Sequence, residues 1–500
     1  MAFLRPYPVA VLCVLVVYAL FWGATPVRVG DGSEYYAMFL SWAETRRPWM
    51  TPPAFDAYER LVASNQISYM VPRNWLEGVF PALRLNEQAD FNHFWFYSLL
   101  AYLAAAGLGS FGVPVGVHQG FLLLHLGLLL ASLAMAARLL GTRGVLAVAV
   151  LTLSSPIIWY LDKVHTELFT YCTVLMAVIA LMRDRYLVAA LCLALASTQN
   201  PSFALLAAVP YGYRFVVLGR RRFSWLETVL AVATALIVLA HPVYYFLRFG
   251  VPTPQMLAGG ASVGANLAYL HIWLLDPDIG LLPNWPLGVL MVMIGAGALW
   301  PLRFRLARPS FLLVFAALFF AVNLLAHAST TNLNSGATPG PARYALWYIP
   351  IFLPLVVAAF GRMTPLRRKW PLWGLVLTLT VVNLSVSWPA RPENNYAPTF
   401  LSRFVQTYLS ALYTPPAEVF AERFSGLGEG SRLPYARAIV GPDCRKALVY
   451  PQSVRFLVTI PASCGIADSQ VLAFLHKQPL PDGGPVFLRL PDDLARPNAP

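Results

Sequence analysis

The chain has 500 residues, of which 58% are hydrophobic and only 12% charged, with a mean hydropathy of +0.59. A chain this apolar is an integral membrane protein, which excludes the ordinary soluble classes. Its formal net charge of +13 does not mark a nucleic-acid binder, because the basic residues stand in short clusters between apolar stretches rather than along one surface.

Stretches able to cross about 30 Å of hydrocarbon, about 20 residues each, recur from Pro8 to Trp388. The first, 8–24, contains bulky Tyr18, Phe21 and Trp22 and no small-residue cleavage site, so it reads as a retained helix rather than a signal peptide. Basic clusters follow at Arg138 with Arg143, Arg183 with Arg185, Arg220-Arg221-Arg222, Arg303-Arg305-Arg308, and Arg362 with Arg367-Arg368-Lys369. With Arg5 these all fall on the cytoplasmic side if the spans are 8–24, 117–138, 145–161, 166–182, 187–199, 202–218, 225–247, 283–301, 309–327, 344–361 and 370–388. Eleven crossings put the N-terminus inside and the C-terminus outside.

Counting Phe94 to Gly109 as a crossing would turn the Arg138/Arg143 loop outward, so this stretch is expected to be an interfacial or re-entrant helix. It is introduced by Phe94-Trp95-Phe96-Tyr97, aromatics suited to headgroup depth. The link Thr198-Gln199-Asn200-Pro201-Ser202 between two short spans reads equally as a break lining a cavity or as a tight turn.

The remaining polar chemistry collects on the outer side. Residues 25–116 form a long first loop holding Gly30-Asp31-Gly32-Ser33-Glu34-Tyr35-Tyr36 and Asp90-Phe91-Asn92-His93. The second loop reads Asp162-Lys163-Val164-His165-Thr166-Glu167, and later come His241, Asp276-Pro277-Asp278 and the stretch from His327 to Arg343-Tyr344. A carboxylate beside hydrocarbon can serve as a base toward a hydroxyl, and Asp31 is the leading candidate. A cation at this surface can hold a phosphate, which nominates Lys163 and Arg343; pairing with nearby acids or headgroups is the alternative. His165 is a candidate second base, a donor to a sugar, or a satisfied loop histidine. His93, His165, His241 and His327 show no local metal-ligand spacing.

From Pro389 onward the chain is water-soluble, and its strand-like runs Ala447–Tyr450 and Val454–Ile460, with a short helix after Tyr413, suggest a small mixed or β-rich domain over 389–500. Asn394-Asn395-Tyr396 lies at its start. Cys13, Cys172 and Cys192 fall in spans, whereas Cys444 and Cys464 are expected to form a disulfide in an oxidising compartment, two free buried thiols being the alternative.

Taken together, residues 1–388 resemble the C-type (GT-C) superfamily of polyprenyl-phosphate-sugar-dependent membrane glycosyltransferases. The resemblance rests on the acidic loop after helix one, the aromatic segment Asp90 to Leu100, Ser154-Ser155-Pro156 leading to Glu167, Leu274-Leu275-Asp276-Pro277 with Gly280-Leu281-Leu282 and Pro286, and Gly340-Pro341-Ala342-Arg343-Tyr344. It implies a helical bundle that moves a sugar from a polyprenyl-phosphate carrier to a lipid, glycan or protein acceptor with inversion, on the outer face of a bacterial inner membrane. It implies Asp31 as base and Glu167 with His165 as the second-loop group, all catalytic. Glu34, Tyr35, His93, Lys163, Asp276, Arg343 and Tyr344 would contact substrates, Lys163 and Arg343 at the leaving phosphate. The first loop lacks the adjacent acids of protein-glycosylating members, which disfavours a protein acceptor, and it has no Asp-X-Asp pair, so no divalent metal cofactor is indicated.

A multi-pass transporter or lipid-linked saccharide flippase shares the many crossings and broken helices. Its charges belong at mid-membrane depth, whereas these spans are almost free of charge and the polar groups gather outside, which favours an enzyme. A membrane acyltransferase or glycan polymerase is a third class, separable by its donor.

Overall fold

The computed structural model describes residues 6–217, 224–300, 311–333, 338, 340–363, 370–389, 397–426, 438–450, 457–480, 484–492 and 494. The basic clusters at 220–222, 303–308 and 367–369, the Asn394-Asn395-Tyr396 run and the Val454–Phe456 part of one expected strand lie outside the described residues. The chain divides into two compact units. The first comprises Met1–Ala265, Trp285–Ser329 and Leu346–Arg391; the second comprises Asn266–Asn284, Thr330–Ala345 and Pro392–Pro500.

The first unit is built of helices α1 (Pro6–Trp22), α2 (Gly32–Thr45), α3 (Pro52–Ala63), α4 (Arg73–Gly78), α5 (Phe96–Gly109), α6 (Val117–Leu153), α7 (Glu167–Leu181), α8 (Tyr186–Ser197), α9 (Ser202–Gly212), α10 (Trp225–Phe249) and the short α11 (Gln255–Ala258). Strands β1 (Arg84–Leu85) and β2 (Gln88–Ala89) form a small hairpin in the first loop. Past the second unit's α12 (Ile272–Leu275), the first unit resumes with α13 (Pro286–Leu299), α14 (Phe311–His327), α15 (Leu353–Met363) and α16 (Trp370–Ser387). Among the described residues, Val117–Leu153, Trp225–Phe249, Arg343–Met363 and Trp370–Ser387 are long and apolar enough to cross a membrane, and several shorter apolar helices accompany them. The protein is thus a polytopic, mainly helical membrane protein.

Helices occupy the expected spans, with one informative difference. The spans 117–138 and 145–161 have no loop between them: α6 runs on through Gly141, whose φ of +67° and ψ of −156° break the helix at a single residue. Only glycine enters that region cheaply. Leu129 and Leu133 before the break and Val145, Val148 and Thr152 after it line one cavity of about 370 Å³ with α1, so the two halves pack beside the same helix. The second half ends at Leu153, and Pro156–Leu161 is a separate 3₁₀ turn. The segment α7 is buried on nearly all sides, as befits an apolar helix at the centre of a bundle.

The first loop packs closely on this bundle. A Cβ at Gly120 of α6 would lie 2.7 Å from Phe39 and 2.9 Å from the Ala101 carbonyl, so α2 and α5 approach the α6 backbone to a distance a side chain would forbid. Tyr36, Phe39, Tyr97, Phe121 and Phe169 form an aromatic core between loop and bundle. Alternation of polar and apolar residues does not produce this contact; a small residue at the crossing point does.

The second unit contains α12, α17 (Phe400–Tyr408), α18 (Ala417–Ser425), α19 (Asp468–Leu475) and a four-stranded sheet. The strands are β3 (Ala438–Val440), β4 (Lys446–Val449), β5 (Val458–Thr459) and β6 (Val486–Arg489), in the order β5-β3-β4-β6. The pair β3–β5 is parallel and the other pairs are antiparallel. Cys444 and Cys464 are joined by a disulfide, and Cys464 sits in the small core beneath the sheet with Val449, Val471 and Leu475.

Candidate active site

The segment leading to Asp31 is held before it turns. Val27 pairs with Ser68 in a parallel bridge, and the Arg28 guanidinium donates to the carbonyls of Tyr69 and Gly30, both at 2.8 Å. Gly30 then takes a φ of +44°, and a Cβ there would lie 3.2 Å from His165 Nε2. This left-handed residue turns the chain into α2 with Asp31 at the N-cap. An N-cap aspartate ordinarily accepts a hydrogen bond from the first-turn backbone, yet the Asp31 side chain makes no such bond. Its carboxylate faces two histidines instead.

His93 Nε2 lies 3.2 Å from Asp31 Oδ2 and 3.7 Å from Glu34 Oε2. His165 Nε2 lies 3.5 Å from the same Asp31 oxygen, while His165 Nδ1 contacts the Glu167 carboxylate. The groups therefore form a continuous series Glu167–His165–Asp31–His93–Glu34, in which acids and imidazoles alternate throughout. Side-chain exposure separates their roles. Asp31 is 29% and His93 22% exposed, whereas Glu34, His165 and Glu167 are at or below 5%. Asp31 and His93 are the members that meet solvent. Tyr35 lies against both imidazoles, with ring centroids 5.1 Å from His93 and 5.8 Å from His165. Glu167 is the first residue of α7, where the helix N-terminus favours a negative charge.

The segment Lys163-Val164-His165 turns back on itself before α7. The His165 amide donates to the Lys163 carbonyl at 3.0 Å, a tight turn that sends the lysine one way and the imidazole another. Lys163 is buried: its ammonium pairs with both Asp162 oxygens at 2.9 and 3.0 Å, donates to the Pro389 carbonyl at 2.8 Å and lies 5.3 Å from the Trp159 ring. Burial lifts the Asp162 carboxyl above the ordinary aspartate range, and the lysine opposes that rise. Contact with a phosphate would require Lys163 to give up one of these partners.

Supporting residues were not all visible beforehand. Asp90 is buried, accepts from Arg248 at 2.9 and 2.7 Å and from the Tyr244 hydroxyl, and so ties the loop before His93 to the end of α10. Burial pushes its carboxyl up, against the pull of both partners. The Tyr245 hydroxyl donates to the carbonyls of Phe91 and His93 at 3.0 and 3.2 Å. Two buried clasps fasten the loop to α6: Tyr36 with His118 at 2.8 Å and Tyr97 with His125 at 2.7 Å. Imidazoles within an apolar span were the available signal for these. Of the other histidines, His241 packs on Phe94 and Tyr245, and His327 on Trp347 and Tyr348.

The remaining sequence candidates belong to the second unit. The Arg343 guanidinium donates to the Tyr344 hydroxyl at 3.2 Å, and the Tyr344 ring meets Trp273 edge-on at 5.8 Å. Asp276 is engaged in the turn it begins: Oδ1 accepts the amides of Asp278 and Ile279 at 2.7 and 2.8 Å, and Oδ2 accepts from Tyr413. It is 1% exposed, and its carboxylate holds the turn.

The first loop has no Asp-X-Asp pair, yet its fold brings three groups of metal-ligand chemistry together. The ligand atoms of Asp31, Glu34 and His93 lie within 4.8 Å of one another. Two carboxylates and an imidazole suit a divalent cation, with open positions left for water or substrate.

Fold and site together define a polytopic membrane protein with an acid–histidine cluster drawn from residues 31–34, His93 and the 165–167 segment. Among solved structures the chain is similar to "Crystal Structure of ArnT from Cupriavidus metallidurans bound to Undecaprenyl phosphate", at 16% identity and a TM-score of 0.42 over 75% of this chain. The match covers 63% of that chain, so this protein spans less than two thirds of its length. No protein-family model matches the sequence, and no curated protein matches it.

Proposed function

We propose that the protein is an inverting glycosyltransferase that moves a sugar from a polyprenyl-phosphate carrier to a lipid or glycan acceptor. The observation that carries this is Asp31: a partly exposed N-cap carboxylate that forgoes its capping bond and stands between two imidazoles at the edge of a membrane-embedded bundle. Asp31 removes the proton from the acceptor hydroxyl, whose oxygen attacks the anomeric carbon. The bond between that carbon and the phosphate oxygen breaks, and polyprenyl phosphate leaves with the electron pair. His93, exposed beside Asp31, passes the collected proton to solvent. His165 and Glu167 orient the carboxylate from below. Lys163, once released from its partners, carries the role of neutralising the leaving phosphate. In this reading the cluster and the C-terminal residues face the periplasm of a bacterial inner membrane and the N-terminus faces the cytoplasm.

The test is release of polyprenyl phosphate from a panel of polyprenyl-phosphate sugars, in membranes holding the wild-type chain beside Asp31→Asn. Turnover that collapses in the folded variant supports the reaction and identifies the sugar. Absence of turnover with every donor returns the transporter class; equal turnover removes Asp31 as the base.

A further inference from the structure

The helix α17 is built inside out for a water-soluble unit. Its polar residues Ser402 and Gln406, one turn apart, point inward and are 5% and 2% exposed. Phe400, Phe404 and Tyr408, also spaced by one turn, point outward at 87%, 45% and 72%, and Leu412 continues the stripe at 80%. Leu401 and Leu409 flank it and are exposed as well.

The inward side is anchored. Thr399 caps the helix by accepting the Ser402 amide at 3.2 Å, its own amide donates to Asp278 at 2.9 Å, and its hydroxyl donates to the Pro277 carbonyl at 3.0 Å. The turn after α17 is held by the Lys446 ammonium, which donates to the carbonyls of Ser410 and Tyr413. The aromatic stripe is therefore presented by a fixed frame. Single exposed apolar residues are ordinary, but a continuous row marks a contact surface.

We propose that α17 and the following turn lie in the plane of the membrane, seated at the boundary between headgroups and acyl chains, and give the C-terminal residues their own lipid contact. The composition selects lipid over protein. Phenylalanines and leucines would enter the acyl region, while the Tyr408 hydroxyl and exposed Arg403 would meet the headgroups, the residue distribution of an interfacial helix. Chain position agrees. Twelve residues separate Ser387, the end of apolar α16, from Phe400, so α17 begins within about 45 Å of a span's end.

The experiment uses the full-length protein in vesicles of phosphatidylethanolamine and phosphatidylglycerol, with photoreactive benzoylphenylalanine in place of Phe404 and, separately, in place of Val382 on the exposed face of α16. A phospholipid-mass adduct on the 404 peptide, matching that on the 382 peptide, is the expected result. A cross-link from 404 to a second copy of the chain, or no adduct at 404 while 382 captures lipid, overturns the proposal. In the double variant Phe400→Ser with Phe404→Ser, an acyl-chain carbene probe should lose its label on residues 397–413 and keep it on 370–388. Retained label on 397–413 would likewise overturn it.

Discussion

Two acidic regions of this molecule look alike in the sequence and differ in what surrounds their carboxylates. In the first unit Asp31 leaves its capping duty, keeps part of its surface in water and touches two histidines. In the second, Asp276 and Asp278 are sealed: the oxygens of Asp276 accept two backbone amides and a tyrosine, and Asp278 accepts the Thr399 amide and lies 3.6 Å from Arg423. Arg423 is fully buried and donates to the carbonyls of Gly340 and Ala397. An acid that satisfies backbone donors builds a turn; an acid that declines them and meets titratable groups is available for proton transfer.

The largest expected effect tests the first half of that contrast. Asp31→Asn should lower turnover by about 10²–10⁴-fold, the range of a lost general base, with an unchanged melting temperature; a stability loss without a rate loss would place Asp31 with the structural acids. Next, Arg423→Leu should destabilise the second unit by about 3–5 kcal/mol, because it leaves a buried carboxylate unpaired. Chemical denaturation read through protease resistance of residues 397–426 measures it, and an unchanged midpoint would show that the pair is dispensable.

A smaller effect separates the histidines. His93→Gln should cut kcat by about tenfold and shift the acidic limb of the pH–rate profile, as expected of a proton carrier. His165→Gln should keep the profile's shape and lower its height, as expected of a residue that orients the base. Identical profiles for both variants would assign the two imidazoles one role.

The smallest effect belongs to Asp276. Burial lifts its carboxyl above the ordinary aspartate range, with the Asp278 charge adding to the rise. An acid with a raised folded pKa gives its full stability below the unfolded value and loses it as pH climbs toward the folded value. Asp276→Asn, which keeps an acceptor for both amides, should therefore be near-neutral at pH 7. Melting curves on acidification from the raised value toward the unfolded one should show a gain for wild type that the variant lacks; parallel curves would contradict the assignment.

Much of the helical order could be read from the sequence because each span carries its own apolar signal. The break at Gly141 falls where the sequence placed a loop, between Arg138 and Arg143; that one glycine makes it, with helix on both sides, could not be read. Asp31 and Glu167 were visible as loop acids, but their meeting through His165 is a tertiary contact between segments more than a hundred residues apart. Nor could Lys163 be separated from a phosphate ligand, since Asp162 is its neighbour in the chain but Pro389, which accepts from the same ammonium, lies 226 residues away. The stripe of α17 escaped because apolar residues at helical spacing are ordinarily assigned to a core, and here the core takes Ser402 and Gln406.

The clasps Tyr36–His118 and Tyr97–His125 bear on how substrates arrive. Both helices flanking the cluster, α2 and α5, are latched to α6 through hydroxyl–imidazole bonds shielded from water. Swinging the loop away as a hinged door would break both latches at once, and each buried partner left unmatched adds about 1–3 kcal/mol to the barrier. Traffic in and out of the cluster is consequently cheaper along fixed openings than through a moving first loop, and the gate of this protein, if its cycle has one, is made of other segments.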